Sequence, residues 1–255
     1  MAVDEAILEF TARGEVPPTL RLYSWTPPCL SLGYAQTAKD VDMDQLQELG
    51  WEIVRRPTGG RAILHTNELT YSVCGPNSEP RLTGGVLESY QHLSFALLEA
   101  LTLMGINADT VSISASQQTL AGDNPVCFEV PSNCEITVDS KKLIGSAQAR
   151  RKSGVLQHGS LPLSGDLTRI LNVLNFPDDN RRQQAAVRLL AHATTVEAVL
   201  GYRGDWWLAS QAFRIAFNKA LNLNLQLGGL TPSEGKRAME LYREKYNSPE
   251  WTERF

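Results

Sequence analysis

The chain has no excess of positive charge: 24 Lys and Arg stand against 28 Asp and Glu, a formal net charge of −4. A general nucleic-acid binder would carry a dominant basic surface, so that class is set aside, although a local basic patch can sit on an acidic whole. Cysteine is scarce, four in 255 residues, too few for a disulfide framework. None of Cys29, Cys74, Cys127 and Cys134 belongs to a Cys-x-x-Cys pair, which argues against zinc and thioredoxin-like chemistry and gives no reason to expect a metal or cofactor. No apolar run approaches the length that spans a bilayer. The first segment, Met1 to Arg13, carries Asp4, Glu5 and Glu9 and lacks the basic-then-apolar pattern of a secretory leader. Internal repeats and low-complexity segments are missing too. These absences predict a cytoplasmic protein with reduced thiols and no nucleic-acid or membrane partner. With 42% hydrophobic and 20% charged residues, there is ample material for one sizeable core. No long apolar surface helix is evident, and a monomer is expected.

Periodicity places a short helix over Asp4 to Ala12, stopped by Gly14 and Pro17-Pro18. Strands are predicted at Leu20–Trp25, Cys29–Gly33, Trp51–Val54 and Glu68–Cys74, with a helix over Asp42–Leu49. Leu87, Tyr90, Leu93, Leu97, Leu101 and Met104 recur at helical spacing, ended by Gly105. Ser112 to Pro125 is rich in Ser, Gln, Gly and Asp and reads as a mobile loop of the kind that covers a site. Glu135–Val138 and Lys142–Gln148 flank an Asp139-Ser140 turn as a hairpin, and Val155–Leu163 is a further strand. Helices follow over 167–174, 181–192, 196–200 and 206–221, then a last strand is expected at Leu223–Leu227. Thr231-Pro232-Ser233-Glu234 is a helix-start signature for a strongly charged helix to Tyr246. Strands dominate the first two-thirds and helices the last third, an α+β pattern. One domain is the default, residues 1–230, with 231–255 as a charged helix packed on it or extending from it.

Three stretches could carry chemistry. Arg55-Arg56-Pro57-Thr58-Gly59-Gly60-Arg61 runs to His65. Adjacent glycines permit positive backbone torsions and close approach to a ligand, and the arginines suit carboxylate or phosphate. A tight turn with solvated arginines fits the composition equally well. It is not a Walker loop, which needs spaced glycines and a Gly-Lys-Ser/Thr ending. Cys29 and Cys74 sit in apolar strand patterns as small buried thiols. Cys127 lies instead between Pro125 and Pro131, an extended presentation that suits an exposed nucleophile. Cys134 is its rival. Lys142 opens a strand ahead of Gly145-Ser146-Ala147, small residues that leave space for a lysine to pin a carbonyl or activate a thiol. Most turn lysines are simply solvated. Gln157-His158-Gly159-Ser160 completes the set, and a lone strand histidine is more often structural.

In this order, the Asp4-Glu5-Ala6 helix, Leu20 to Trp25, Ser31 to Gln36, the arginine–glycine loop running to Glu68-Leu69-Thr70-Tyr71-Ser72-Val73, Lys142 to Ala147 and Gln157 to Ser160 resemble the lipoate/biotin protein ligase superfamily. Within it the chain is most similar to octanoyltransferases of the LipM type. Cys127-Phe128, followed by Pro131-Ser132 and Glu135-Ile136, resembles their nucleophile segment, and Thr-Gly-Gly-Arg at 58–61 stands where ATP-dependent lipoate ligases typically show Ser-Gly-Gly-Gly. Cys134 departs from that pattern and adds a second thiol. The likeness is dense over residues 1 to 165.

The resemblance implies mixed, largely antiparallel sheets flanked by helices. It implies Cys127 as nucleophile with Lys142 beside the reacting carbonyl, and Arg56, Thr58, Gly59, Gly60, His65, Ser72, Gly145, Ser146, Ala147, His158 and Gly159 around the substrate. The donor it implies is octanoyl-acyl carrier protein; the acceptor is a lysine of an apo-lipoyl domain or of the glycine-cleavage H protein. Thioester exchange followed by thioester-to-amide transfer runs downhill without ATP, and a cysteine divides it into two easier steps. An apolar slot near Trp25, Tyr71 and Val73 is expected to hold the chain, about eight carbons at ~0.8 kcal/mol per methylene. Arg55, Arg56, Arg61, Arg150, Arg151 and Lys152 are expected to steer acidic carriers. The alternatives are an ATP-dependent lipoate–protein ligase, an amidotransferase using octanoylated H protein as donor, and a binding protein without turnover.

Overall fold

In the computed structural model the described residues are 1–111, 135–152 and 154–255. Cys127, Cys134 and the stretch 112–125 lie outside them. The strands are β1 (Thr19–Tyr23), β2 (Cys29–Leu32), β3 (Glu52–Arg55), β4 (Ile63–His65), β5 (Glu68–Pro76), β6 (Asp109–Val111), β7 (Glu135–Val138), β8 (Lys141–Arg150) and β9 (Gly154–Pro162). The helices are α1 (Ala2–Ala12), α2 (Met43–Glu48), α3 (Val86–Leu103), α4 (Asp179–His192), α5 (Val196–Leu200), α6 (Trp206–Ala220), α7 (Pro232–Leu241) and α8 (Pro249–Thr252).

Two sheets result. A six-stranded antiparallel sheet runs β1-β5-β9-β8-β7-β6, and a three-stranded sheet runs β3-β2-β4 with β2 and β3 parallel. The expected α+β architecture is what forms.

Alternation in β5 and β9 decides which face meets what. Leu69, Tyr71, Val155 and Leu161 turn to one side and pack with Leu93, Leu97 and Leu101 of α3 and Phe213 and Phe217 of α6. The opposite face is shared. At one end Cys74 and Leu156 meet Ile7 and Leu8 of α1. Further along it is polar, with Glu68, Thr70, Ser72, His158 and Ser160 all buried. A buried polar strip on a central sheet needs partners, and the small sheet supplies them.

The small sheet has its own core. Leu30 and Leu32 pack with Leu171, Val173 and Leu174 of the 3-10 segment Leu167–Val173 and its end, and with Leu189 of α4.

One local expectation is corrected. Leu223–Leu227 forms no strand: Leu223 N and Leu225 N are bound instead by Asn218, through its carbonyl (2.9 Å) and side chain (2.7 Å), which ties the stretch to α6. The helix expected from Pro232 to Tyr246 forms, α-helical to Leu241 and widening into a π turn over Tyr242–Tyr246. Its start is as the signature requires, with Thr231 Oγ1 accepting from Glu234 N and the Glu234 carboxylate accepting from Thr231 N (2.7 Å). Arg237 pairs with Glu9 (2.8 Å) and Lys245 with Glu5 (2.6 Å), so much of the charge of this segment meets α1.

Candidate functional site

Between the polar strip of the large sheet and the small sheet lies a cavity of about 180 Å³. Arg56, Gly59, Gly60, His65, Lys142, Gly145, Ser146, Ala147, His158 and Gly159 all line it. The residues singled out in sequence are therefore brought together, with three exceptions. Thr58 stands behind the wall, 2.7 Å from His158 Nε2. Ser72 donates to Asp4 Oδ1 at 2.8 Å and does not line the cavity. Cys127 is outside the described residues.

A β-bulge aims Lys142. Ile136 stands opposite Ile144 and Thr137 opposite Lys142, so β8 carries one extra residue there. Strict alternation would put Lys142 on the face opposite Gly145 and Ala147. The extra residue restores it to their side, while Leu143 and Ile144 both enter the core. Lys142 is 3% exposed, and its Nζ lies 2.5 Å from Glu135 Oε1. Glu135 opens β7, at the point where the chain returns from the segment containing Cys127. A buried cation with a carboxylate at this distance is an oriented ion pair rather than a solvated lysine.

Glycines let the loop over the cavity close. A Cβ on Gly33 would fall 1.8 Å from Gly60 O, so the loop after β2 and the Gly59-Gly60 turn touch main chain to main chain. Gly60 has φ +94, a torsion that side chains resist. The neighbouring arginines hold this turn from below. Arg56 donates to Ser31 O (2.9 Å), Gly59 O (2.9 Å) and Arg61 O (2.7 Å). Arg55 donates to Gly33 O (2.8 Å), Gln36 O (2.6 Å) and Thr252 O (2.7 Å). Both are buried, which corrects the expectation that they steer carriers at the surface. Arg61, Arg150 and Arg151 instead line an open groove of about 550 Å³ beside Tyr34 and Gln36; it shares Gly59, Gly60 and Arg61 with the inner cavity.

The two histidines differ. His158 is buried, and burial, with Arg56 adding to it, depresses its pKa to about 3 although Asp4 opposes the shift. It is a neutral imidazole at physiological pH, and its Nδ1 has no hydrogen-bond partner among the described residues. His65 sits under Trp25, ring centroids 4.5 Å apart, with Nδ1 2.7 Å from Glu68 Oε1 and Nε2 2.8 Å from Ser31 Oγ. Burial works against the charge of Asp4, but the N-terminal ammonium and Arg21 hold its carboxyl at about 2. Cys29 and Cys74 are inert by environment: burial pushes the first up to about 12 and the second well above the usual thiol range.

Of the residues expected around the acyl slot, Trp25 stands on the cavity side, donating to Thr70 Oγ1 at 2.9 Å, whereas Tyr71 and Val73 are on the other face of the sheet. Tyr71 faces the helices, its hydroxyl 2.7 Å from Ser146 Oγ and its ring against Phe213. Ser31, Glu68, Thr70, Ser160 and Glu135 stand in the motifs quoted above but were given no role in the site. Period-two alternation was the available signal for Thr70 and Ser160, which share a strand face with His158. Glu135 was legible only as part of the segment that resembles the nucleophile stretch. Among the described residues no three His, Cys, Asp or Glu side chains are grouped to hold a metal ion, and no helix is long and apolar enough to cross a membrane.

Comparison with known proteins places this arrangement. The sequence model described as the lipoyl protein ligase A/B catalytic domain matches residues 1–217. An octanoyltransferase LipM of Kyrpidia tusciae is 42% identical over all of this chain and 93% of its own length; one from Symbiobacterium thermophilum is 40% identical, with the same coverage. Among solved structures, lipoate-protein ligase A bound with ATP is 25% identical with a TM-score of 0.79, covering 99% of this chain and 92% of its own. The bi-partite lipoate protein ligase of Thermoplasma acidophilum shares the fold, with a TM-score of 0.80 at 24% identity over 99% of this chain and 89% of its own. The chain belongs to the lipoyl protein ligase A/B catalytic-domain family and, within it, to the octanoyltransferases of the LipM kind.

Proposed function

We propose that the protein moves an octanoyl group from the thioester of an acyl carrier protein to a lysine of an apo-lipoyl domain or glycine-cleavage H protein, through a thioester on Cys127, in lipoate biosynthesis in the cytoplasm. The observation that carries this reading is the buried Lys142 ammonium, aimed by a bulge into a cavity walled by Gly145 and Ala147. A fixed cation beside small residues stabilises both a thiolate and the oxyanion formed when a thioester is attacked. Glu135 fixes that cation, and lies on the strand that follows the Cys127 segment. Main-chain amides at Gly59-Gly60 or Gly145-Ser146 complete the oxyanion site. The arginine groove of Arg61, Arg150 and Arg151 leads over the glycine turn into the cavity, and suits the anionic arm and acidic surface of a carrier.

Mass spectrometry of the intact protein tests this. Incubation with octanoyl-carrier protein, without ATP, should add one octanoyl mass, and Cys127→Ala should abolish it. An adduct that persists in Cys127→Ala and vanishes in Cys134→Ala would move the nucleophile. The likeness to a ligase that binds ATP supports a second reading, in which modification requires free lipoate and ATP and no protein adduct forms.

A further inference from the structure

Attack by a lysine on a thioester releases a proton into a closed site. The first half of the proposed reaction is balanced, since a thiol and a carrier thioester become an enzyme thioester and a carrier thiol. The second half is not. An alkylammonium and the enzyme thioester give amide, free enzyme thiol and one proton: the C–N bond forms, the C–S bond breaks, and the ammonium loses two protons, of which the thiol keeps one.

The cavity offers few bases to receive the other. Lys142 is already an ion pair with Glu135, and the amino group of Met1, which also lines the cavity, is paired with Asp4 at 3.8 Å. His158 has no way outward: its Nε2 is bound to Thr58 Oγ1 (2.7 Å) and it does not line the second cavity beyond the strip. Glu68 is different. Its Oε1 accepts from His65 Nδ1 (2.7 Å) and from Thr70 Oγ1, and its Oε2 accepts from Ser160 Oγ. Ser160, Thr70 and His65 line the inner cavity. Glu68 itself lines a second cavity of about 50 Å³ on its far side, with Ser164, Asp166 and Arg169, and Ser160 lines both. The carboxylate thus forms a partition between the reaction chamber and an outer pocket whose polar groups include Ser164, Asp166 and Arg169. Ser160 stands opposite Gly145, next along β8 from the bulge that carries Lys142.

We propose that Ser160 and Glu68 are the proton exit for the acyl-acceptor amine. It rests on the lysine-acceptor reading above. The amine passes its proton to Ser160 Oγ as the Ser160 hydroxyl proton moves to Glu68 Oε2; the resulting carboxylic acid releases it to water in the outer pocket. The new Ser160 hydroxyl rotates back to Glu68, so the path resets without movement of the backbone. His65 and Thr70 are positioning residues that hold Oε1 and keep Oε2 facing Ser160. The charged and titratable groups around Glu68 are His65 on β4, Tyr23 on β1, Cys29 on β2, Arg56, His158, the Lys142–Glu135 pair and the Met1 ammonium with Asp4 on the inner side, and Asp166 and Arg169 on the outer side.

The two half-reactions are timed separately by single-turnover mass spectrometry, first loading from octanoyl-carrier protein, then chasing with an apo-lipoyl domain. Glu68→Gln and Ser160→Ala should load within about twofold of the native rate yet transfer about 10²- to 10⁴-fold more slowly at pH 7. The deficit should shrink as pH rises towards the lysine pKa of about 10.4, because the amine then arrives deprotonated. Variants that slow both halves equally, or neither, or whose deficit ignores pH, overturn the proposal. Should Glu68→Gln fail to fold, Ser160→Ala, which removes one hydroxyl, carries the test. A native protein that never loads overturns the thioester reading itself, a separate result.

Discussion

At the scale of single residues, close contact explains identities that charge does not. Gly159 is the clearest. A Cβ there would stand 2.5 Å from the Tyr71 ring, 2.7 Å from Gly145 O and 2.7 Å from Ser146 Oγ. None of these can give way freely, because Tyr71 is locked between Phe213 and Phe217 and its hydroxyl is bonded to Ser146. The glycine therefore serves the packing between sheet and helices, although its backbone lies on the cavity wall. Gly159→Ala should destabilise the fold by about 1–3 kcal/mol through overpacking, read as a lower midpoint in chemical denaturation. A midpoint equal to the native one would mean that Tyr71 has more freedom than its neighbours allow.

At the scale of elements, the C-terminal segment is part of the scaffold of the site. Arg55 ends β3 fully buried, and it donates to main-chain carbonyls: Gly33 and Gln36 from the loop after β2, Trp251 and Thr252 from α8. Carbonyls at a helix C-terminus carry partial negative charge and suit a cation. Lysine has three donors in place of a planar fork of five. Arg55→Lys should therefore cost about 2–4 kcal/mol and speed amide exchange at Trp251 and Thr252; unchanged exchange there would show that α8 docks without the guanidinium. This link joins residues far apart in sequence, and no local pattern announces it. What periodicity did reveal was the central strands, α3 and the capped start of α7, because each follows from alternation or a local signature. The glycine turn and the lysine were visible as unusual composition. Their meeting in one cavity depends on a bulge at Leu143 and on the small sheet folding over the large one, neither of which a linear pattern encodes. Arg55 and Arg56 were misread for the same reason: an arginine bound by carbonyls and one in solvent look alike in sequence.

At the scale of the whole molecule, the buried polar strip makes stability depend on pH. His158 has its pKa depressed from 6.5 to about 3 in the fold, by burial first and Arg56 next, against the pull of Asp4. Asp4 is depressed from 3.8 to about 2. Both groups bind a proton more readily in the unfolded chain than in the folded one. For the histidine, stability is full above about pH 6.5 and is lost as pH falls towards 3; for the aspartate it is full above about 4 and is lost towards 2. The slope for one such proton is about 1.4 kcal/mol per pH unit, so His158 alone should remove about 3 kcal/mol between pH 6 and 4. His158→Gln keeps a polar group within reach of Thr58 and cannot take up the proton, so its stability should stay nearly flat until the carboxylates begin to titrate. Urea denaturation at pH 7, 6, 5 and 4 distinguishes the two curves. Parallel curves would place the acid sensitivity elsewhere. A native slope that disappears in the variant would tie the integrity of the cavity to one neutral imidazole under the glycine turn.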